Sequence, residues 1–329
     1  MSSHKNPHDI FSRVDTTLTL SQLLDLATNA YNLGGIQKST PILTGYQDCN
    51  IDLETSHGRF VVKIFSSEKT KQRISDVLAG YISCRKLGIN VPLLRETTGK
   101  QTHLELSGVA HPLYLSVFEY FEGKPLTKTP VTTEDLIAIS GMIAKIHQLH
   151  KPIPNYYDTL GIISVAREYK NKSEALSSDE QTKIVPVINK FQRINLKALP
   201  QSIIHGTPEK ENILKSAGGE LCLLDLGCMD YNASVLDIAV FIANFTLYVS
   251  EEKRAHIIRT IIDAYNAIRP ITPAEMTILP ALIRAQYAAY IIGMSFRMRR
   301  EHDMTKQTQT WLDRGWDGLR SYAAVRKIL

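Results

Sequence analysis

The stretch from 205 to 227, HGTPEKENILKSAGGELCLLDLG, sets an amide and a carboxylate beside two short strands. Asn212 leads Ile213-Leu214, a strand start, and Asp225 follows Leu223-Leu224 at a strand end. A hairpin turning at Gly218-Gly219 would bring both side chains to one end of a sheet. Magnesium prefers oxygen ligands and few protein ones, with phosphate oxygens filling the rest. Lys63 stands in the strand Phe60-Val61-Val62-Lys63-Ile64-Phe65, where an ammonium can neutralise phosphate oxygens as a point charge. Taken singly, each residue has an ordinary explanation: a turn Asn, a strand-end Asp, a snorkelling lysine. Together they supply the oxygens and the positive charge that a phosphate with its metal would need.

Elements must hold these groups in place. Leu20 to Tyr31 is amphipathic and reads as a helix closed by Gly34-Gly35. Ile51 and Leu53 alternate with Asp52 and Glu54, Ser56-His57-Gly58-Arg59 turns, and 60–65 returns as a strand. A helix follows from about Ser75 to Leu87, with Gly88 at its C-cap and Pro92 beyond. Strands are expected at 102–106 and 113–120. The rest reads as helix. Thr132 to Asp135 forms a capping box, and further helices are expected at 179–191, 236–248, 252–268 and 273–297, the last with a kink or break at Pro280. The hairpin at Gly218-Gly219 is the one clear β feature expected in this half, and the polar run 170–183 reads as flexible.

Bulk properties remove several classes. The chain has 329 residues, long for one core and suited to two lobes. A net charge of +5, with no basic stripe interleaved with aromatics, does not argue for nucleic acid. Cys49, Cys84, Cys222 and Cys228 show no metal-ligand spacing, so buried free thiols in a reducing compartment are expected. The opening MSSHKNPHDIFSRVD has no apolar core and does not read as a signal peptide. The long apolar run 278–296 carries Arg284, Gln286 and two tyrosines, costly in lipid. It reads as a buried helix, and a cytoplasmic protein without membrane or nucleic-acid partners is expected.

With these pieces placed, the chain resembles the aminoglycoside phosphotransferase and homoserine kinase-like family of small-molecule kinases over roughly residues 20 to 300. The matching motifs, in order, are YNLGG, LTGYQDCNIDLETSHGRFVVKIF, RKLGINVP, FEYFEGKPL, IAKIHQLH, HGTPEKENIL, LCLLDLG and SVLDIAVFIANF. The resemblance implies an α+β, two-lobed protein-kinase-like fold. After a polar segment 1–19, a small antiparallel β-sheet lobe with one crossing helix would span 20–121, and a larger, mainly helical lobe 122–329. It implies ATP and Mg2+ as cofactors, and transfer of the γ-phosphoryl group to a hydroxyl of a small molecule whose identity the sequence does not give.

The resemblance also implies roles. Lys63 and the loop around Gly45 would hold phosphates, Glu119 and Phe121 would lie at the adenine end, and Asn212 and Asp225 would hold the metal. His205 would brace the catalytic loop and Asp237 tether it. Two positions depart from the family. Thr207 stands where the family has the aspartate that takes or orients the acceptor's proton. No glutamate lies between Lys69 and Gly88 to pair with Lys63, and Asp76 is the one acid there. Three readings of Thr207 stay open: Glu209 or Glu211 acts as a displaced base, the protein is a nucleotide-binding pseudokinase or small-molecule sensor, or the threonine is an introduced substitution.

Overall fold

The structure is a computed structural model. It describes residue 14 and residues 16–326, apart from 44, 46, 107–111 and 155. Thr44 and Tyr46 of the expected phosphate loop, and most of the polar segment 1–19, lie outside the described residues. The chain divides into two compact units, Met1–Glu122 and Gly123–Leu329.

The first unit begins with α1 (Leu20–Tyr31), capped by Thr19, which accepts from Gln22 N while Gln22 reaches back to the Thr19 N–H. Asn32, at φ 50°, ends it in the left-handed region, ahead of the glycines the sequence suggests. Next come β1 (Ile36–Ile42), β2 (Cys49–Thr55), β3 (Gly58–Ile64), α2 (Lys71–Lys86), β4 (Leu104–Leu106) and β5 (Leu113–Glu119). The strands form one antiparallel sheet, β1-β2-β3-β5-β4. Cys49, Ile51 and Leu53 of β2 join Phe60, Val62 and Ile64 of β3 in one core with Leu23, Leu24 and Ala27 of α1. Because strand side chains alternate, Val61 and Lys63 face the other way. On that face Phe118, paired with Val61, meets Tyr81 of α2 with ring centroids 4.8 Å apart. The pleat thus gives α1 one face and puts Lys63 on the α2 face. Helix α2 starts earlier than periodicity predicts, because Thr70 caps it by accepting from Arg73 N at 3.2 Å.

The second unit carries β6 (Lys124–Pro125), α3 (Thr133–Ile146), α4 (Val165–Lys172), α5 (Ser178–Gln192), β7 (Gln201–Ile204), β8 (Ile213–Lys215), β9 (Leu221–Leu223) and β10 (Asp230–Ala233). Then follow α6 (Val235–Phe245), α7 (Glu251–Asn266), α8 (Pro273–Arg300) and α9 (Lys306–Arg326). Three expectations are corrected here. Strand β7 pairs with β10, and β6 joins β8 and β9, so the hairpin is not the one β feature of this half. The run 170–183 is largely helical, its charges bound in pairs such as Lys172–Glu168 and Arg299–Glu180. Helix α8 continues through Pro280, with Leu279, Ala281, Leu282 and Ile283 all buried around it. No helix among the described residues is long and apolar enough to cross a membrane. The four cysteines are free thiols, three of them buried, and burial pushes the Cys84 thiol up to about 12.

Candidate active site

Strands β7 and β10 pair Ile204 with Asp230 and so fix the start of the loop 205–212. Asp237, in the first turn of α6 and fully buried, then holds it. Its carboxylate accepts from His205 N at 2.7 Å and Gly206 N at 2.8 Å, and meets His147 Nε2 at 3.0 Å. Burial pushes the Asp237 carboxyl up, but the hydrogen bonds from His147 and the backbone N–H groups outweigh it, so the group stays below the usual carboxylate range. Tyr265 Oη lies 2.7 Å from His147 Nδ1 and accepts from Arg269 at 2.8 Å, which fixes the imidazole behind the loop. Gly206 sits at φ +91°, and a Cβ there would meet the Cys228 carbonyl oxygen at 2.6 Å, so only glycine fits.

The His205 ring lies between two backbone groups. The Thr207 N–H can only donate and lies 3.3 Å from Nδ1, while the Leu224 carbonyl can only accept and lies 2.9 Å from Nε2. The ring therefore carries its proton on Nε2 and is neutral, and burial favours that state by pushing its pKa down. This ties the loop to the end of β9.

The hairpin does what the spacing predicts. Ile213 pairs with Leu223, and Leu224 N donates to Asn212 O at 2.8 Å, extending the ladder by one rung. Asn212 and Asp225 thus flank the same end of β8 and β9. Asp225 is held at φ 55° and accepts from Gly227 N at 3.3 Å. The Asn212 amide nitrogen donates to Thr207 O at 3.0 Å and Thr207 Oγ1 at 3.2 Å. That leaves the amide oxygen as the atom for a cation. Among the described residues no group of three or more His, Cys, Asp or Glu could enclose a metal. A two-oxygen set suits magnesium that takes its other ligands from phosphate and water.

In the first unit, Lys63 has an ion-pair partner outside α2. Lys63 Nζ lies 3.0 Å from Asp48 Oδ2. Lys69 Nζ lies 2.7 Å from the same oxygen and 2.9 Å from Oδ1, which also accepts from Ser66 N at 3.0 Å. Burial pushes the Asp48 carboxyl up, but the charges of Lys63 and Lys69 overcome this and hold it far below the carboxylate range. Asp76 instead accepts from Gln72. The signal lay in the hairpin register: Asn50 pairs with Lys63, and Asp48 stands two residues before it, on the same face. Gly45 has φ +93°, in the left-handed region that favours glycine. Glu119 pairs with Arg95 at 3.3 Å, and Phe121 is half-buried just past the end of β5.

Glu209 and Glu211 both have other partners. Glu211 pairs with Arg314, whose guanidinium lies 4.4 Å from the Trp311 ring centroid. Glu209 is 6% exposed and accepts from Tyr290 Oη. Burial, reinforced by the Glu211 charge, pushes its carboxyl up to about 8. A folded pKa above the unfolded value means that folding takes up a proton at neutral pH, so this group's support for the fold is lost as pH rises from about 4.5 towards 8. Glu209→Gln, which cannot ionise, should melt higher than the unsubstituted protein at pH 8 and little differently at pH 4. Melting curves across that range check it, and a lower melting point at pH 8 would contradict it. A small cavity beside the loop is lined by Tyr156, Asp158, Gly206, Cys228 and Asp230 among others. Burial pushes the Asp158 carboxyl up, and no motif in the sequence singled this acid out.

A family model described as the phosphotransferase enzyme family matches residues 38–278, well over half of the chain. Homoserine kinase of Methylobacillus flagellatus is 22% identical over 297 residues, covering 88% of this chain and 87% of that protein. Homoserine kinase of Afipia carboxidovorans is 21% identical over 287 residues, with 85% of each chain covered. Among solved structures, an amicoumacin kinase in complex with AMP-PNP and Ca2+ matches with a TM-score of 0.70 at 14% identity, covering 95% of both chains. A spectinomycin phosphotransferase in complex with ADP matches with a TM-score of 0.70 at 12% identity, covering 94% of this chain and 99% of that one. The chain belongs to the phosphotransferase enzyme family and has the fold of its small-molecule kinases.

Proposed function

We propose that this protein binds ATP with magnesium and moves the γ-phosphoryl group to a hydroxyl of a small molecule. The observation that carries this reading is that Asn212 and Asp225 flank one end of a hairpin, in a chain of this family. The relatives and neighbours are named for homoserine, amicoumacin and spectinomycin, so the acceptor here is of that size class. Two of the neighbours were solved with AMP-PNP or ADP, one of them with Ca2+, which supports nucleotide and divalent metal here. A cytoplasmic location, where thiols stay reduced, fits the free cysteines.

In the reaction, the acceptor hydroxyl oxygen bonds to the γ-phosphorus and gives its proton up to solvent, the bond from that phosphorus to the β–γ bridging oxygen breaks, and ADP leaves. Bound magnesium would neutralise phosphate charge. Lys63 would hold phosphate oxygens, Asn212 and Asp225 would present oxygens to the metal, and Gly45 would let the covering loop turn close to the phosphates. Phosphoryl transfer is mostly positioning and charge neutralisation. The missing part is the proton acceptor, since the Thr207 hydroxyl cannot take a proton near neutral pH. A positioned base contributes about a hundred- to ten-thousand-fold, so its loss slows transfer and leaves binding intact. Thr207 therefore favours a second reading beside the first: a protein that binds nucleotide with little or no turnover.

Nucleotide affinity tests the proposal. Lys63→Met should weaken ATP by about tenfold, a partly screened unit charge near phosphate, and leave adenosine unchanged. Titration calorimetry with both ligands reads this. Equal losses for both would point to general damage of the first unit.

A further inference from the structure

A chain of hydrogen bonds runs behind the loop 205–212, and both of its ends have fixed roles. At one end is the Arg269 guanidinium, between α7 and α8, which can only donate. It donates to Tyr265 Oη at 2.8 Å and to Glu275 Oε1 at 3.4 Å. At the other end the Asp237 carboxylate accepts from His205 N and Gly206 N at 2.7 and 2.8 Å. Between them, Tyr265 Oη lies 2.7 Å from His147 Nδ1, and His147 Nε2 lies 3.0 Å from Asp237 Oδ2. His147, Asp237, Tyr265 and Glu275 are fully buried.

The roles in the middle follow from the ends. One proton serves the contact between His147 and Asp237, and it can sit on Nε2 or on the carboxyl. With it on the carboxyl, the ring would carry its proton on Nδ1, and Tyr265 Oη would have to accept it. That oxygen already accepts from Arg269, so its own hydrogen would be buried without a partner, a costly state. With the proton on Nε2, Tyr265 donates to Nδ1 and each donor in the chain meets an acceptor. Burial holds the Tyr265 hydroxyl well above its usual pKa, so it keeps the hydrogen it donates. Asp237 then stays ionised, and hydrogen bonds to an ionised acceptor are roughly twice as strong as neutral ones.

We propose that Tyr265 and Arg269 are positioning residues for the loop: Arg269 makes the Tyr265 hydroxyl a donor, Tyr265 keeps the His147 proton on Nε2, and the ionised Asp237 holds the backbone that leads to Thr207. The loop is thereby set from the start of α8, where Glu275 closes the capping box with Thr272 and also meets Arg269. The effect on rate rests on the reading of this loop as the place of phosphoryl transfer. The hydrogen-bond roles stand without it.

Nitrogen NMR of the histidine rings tests those roles, with His147→Gln identifying the His147 signals. In the unsubstituted protein Nδ1 should appear as a bare acceptor and Nε2 as protonated. A protonated Nδ1 would overturn the proposal. Tyr265→Phe keeps the ring and removes the donor. The Gly206 amide should then exchange its hydrogen about tenfold faster, as a charge-assisted bond weakens to an ordinary one, while amides of the first unit keep their rates. Turnover at saturating ATP should fall by about the same factor, with ATP affinity held within about twofold. Unchanged exchange at Gly206, or a loss of ATP affinity that matches the loss of rate, would count against the proposal. Arg269→Met frees Tyr265 to accept, so Nδ1 should become partly protonated and Gly206 exchange should rise. Arg269→Lys keeps a donor and should stay close to the unsubstituted protein. This pair decides the matter if Tyr265→Phe does not fold, and identical behaviour of the two would overturn the proposal. No ATP binding by the unsubstituted protein would sink the proposed function alone, because the ring signals and the exchange rates need no nucleotide.

Discussion

Thr207→Asp is expected to raise phosphoryl transfer at least about tenfold over the unsubstituted protein, a cautious figure below what a positioned base usually contributes. The frame for that side chain is already built. Asp237 holds His205 N and Gly206 N, His205 spans from Thr207 N to Leu224 O, and Asn212 donates to Thr207 Oγ1. An aspartate oxygen can accept the same Asn212 N–H, so the loop keeps its shape while gaining a carboxylate. That carboxylate would orient the acceptor hydroxyl and take its proton. Slow ATP hydrolysis gives a readout even before the acceptor is known, because water can serve as the nucleophile. Equal and measurable rates would mean that another group is acting as base. Glu209→Gln and Glu211→Gln would then show which. Two inert proteins that still bind ATP would favour the binding-only reading.

The second large effect is expected at Asp225. Asparagine is the informative substitution, because the residue sits at φ 55°, which Asn tolerates, and an amide oxygen can still accept from Gly227 N. The change therefore removes charge while keeping backbone shape. At ATP a hundredfold above its Kd, binding adds ~2.7 kcal/mol to stability, about 4 °C in Tm for a chain of this size. In Asp225→Asn the part of that shift that depends on magnesium should vanish, and the part contributed by adenosine should remain. A full magnesium-dependent shift in the variant would remove Asp225 from the metal site.

Much of this site was legible in the sequence because its parts are local. The hairpin that joins Asn212 to Asp225 turns at Gly218-Gly219, and His205 and Asp237 stand at fixed distances along the chain from it. Helix α1 was legible to the residue because Thr19 and Gln22 form a capping box around a leucine stripe. Other features depend on register or on exposure. Strand β1 is mostly exposed along its length, so it has no alternation to read, and it carries Pro41 on a sheet edge. Strands β7 and β10 are four residues each, too short for a pattern, yet they frame the loop. Asp48 was hidden because the expected partner of Lys63 lay on a helix. Asp48 lies diagonally across a strand pair, visible only once Asn50 is set opposite Lys63. The run 170–183 looked flexible because its residues are charged. Two of those charges reach partners more than a hundred residues away, Glu180 to Arg299 and Glu174 to Arg300, and no local window shows that.

Titration of ATP into the unsubstituted protein, with and without magnesium, is the most direct check on the proposed binding of nucleotide with metal. Calorimetry should show saturable binding that weakens by about tenfold or more when magnesium is removed by chelation, because the phosphate charge is then met by lysine alone. Binding of equal strength in both conditions would contradict the metal site, and no binding in either would contradict the proposed function.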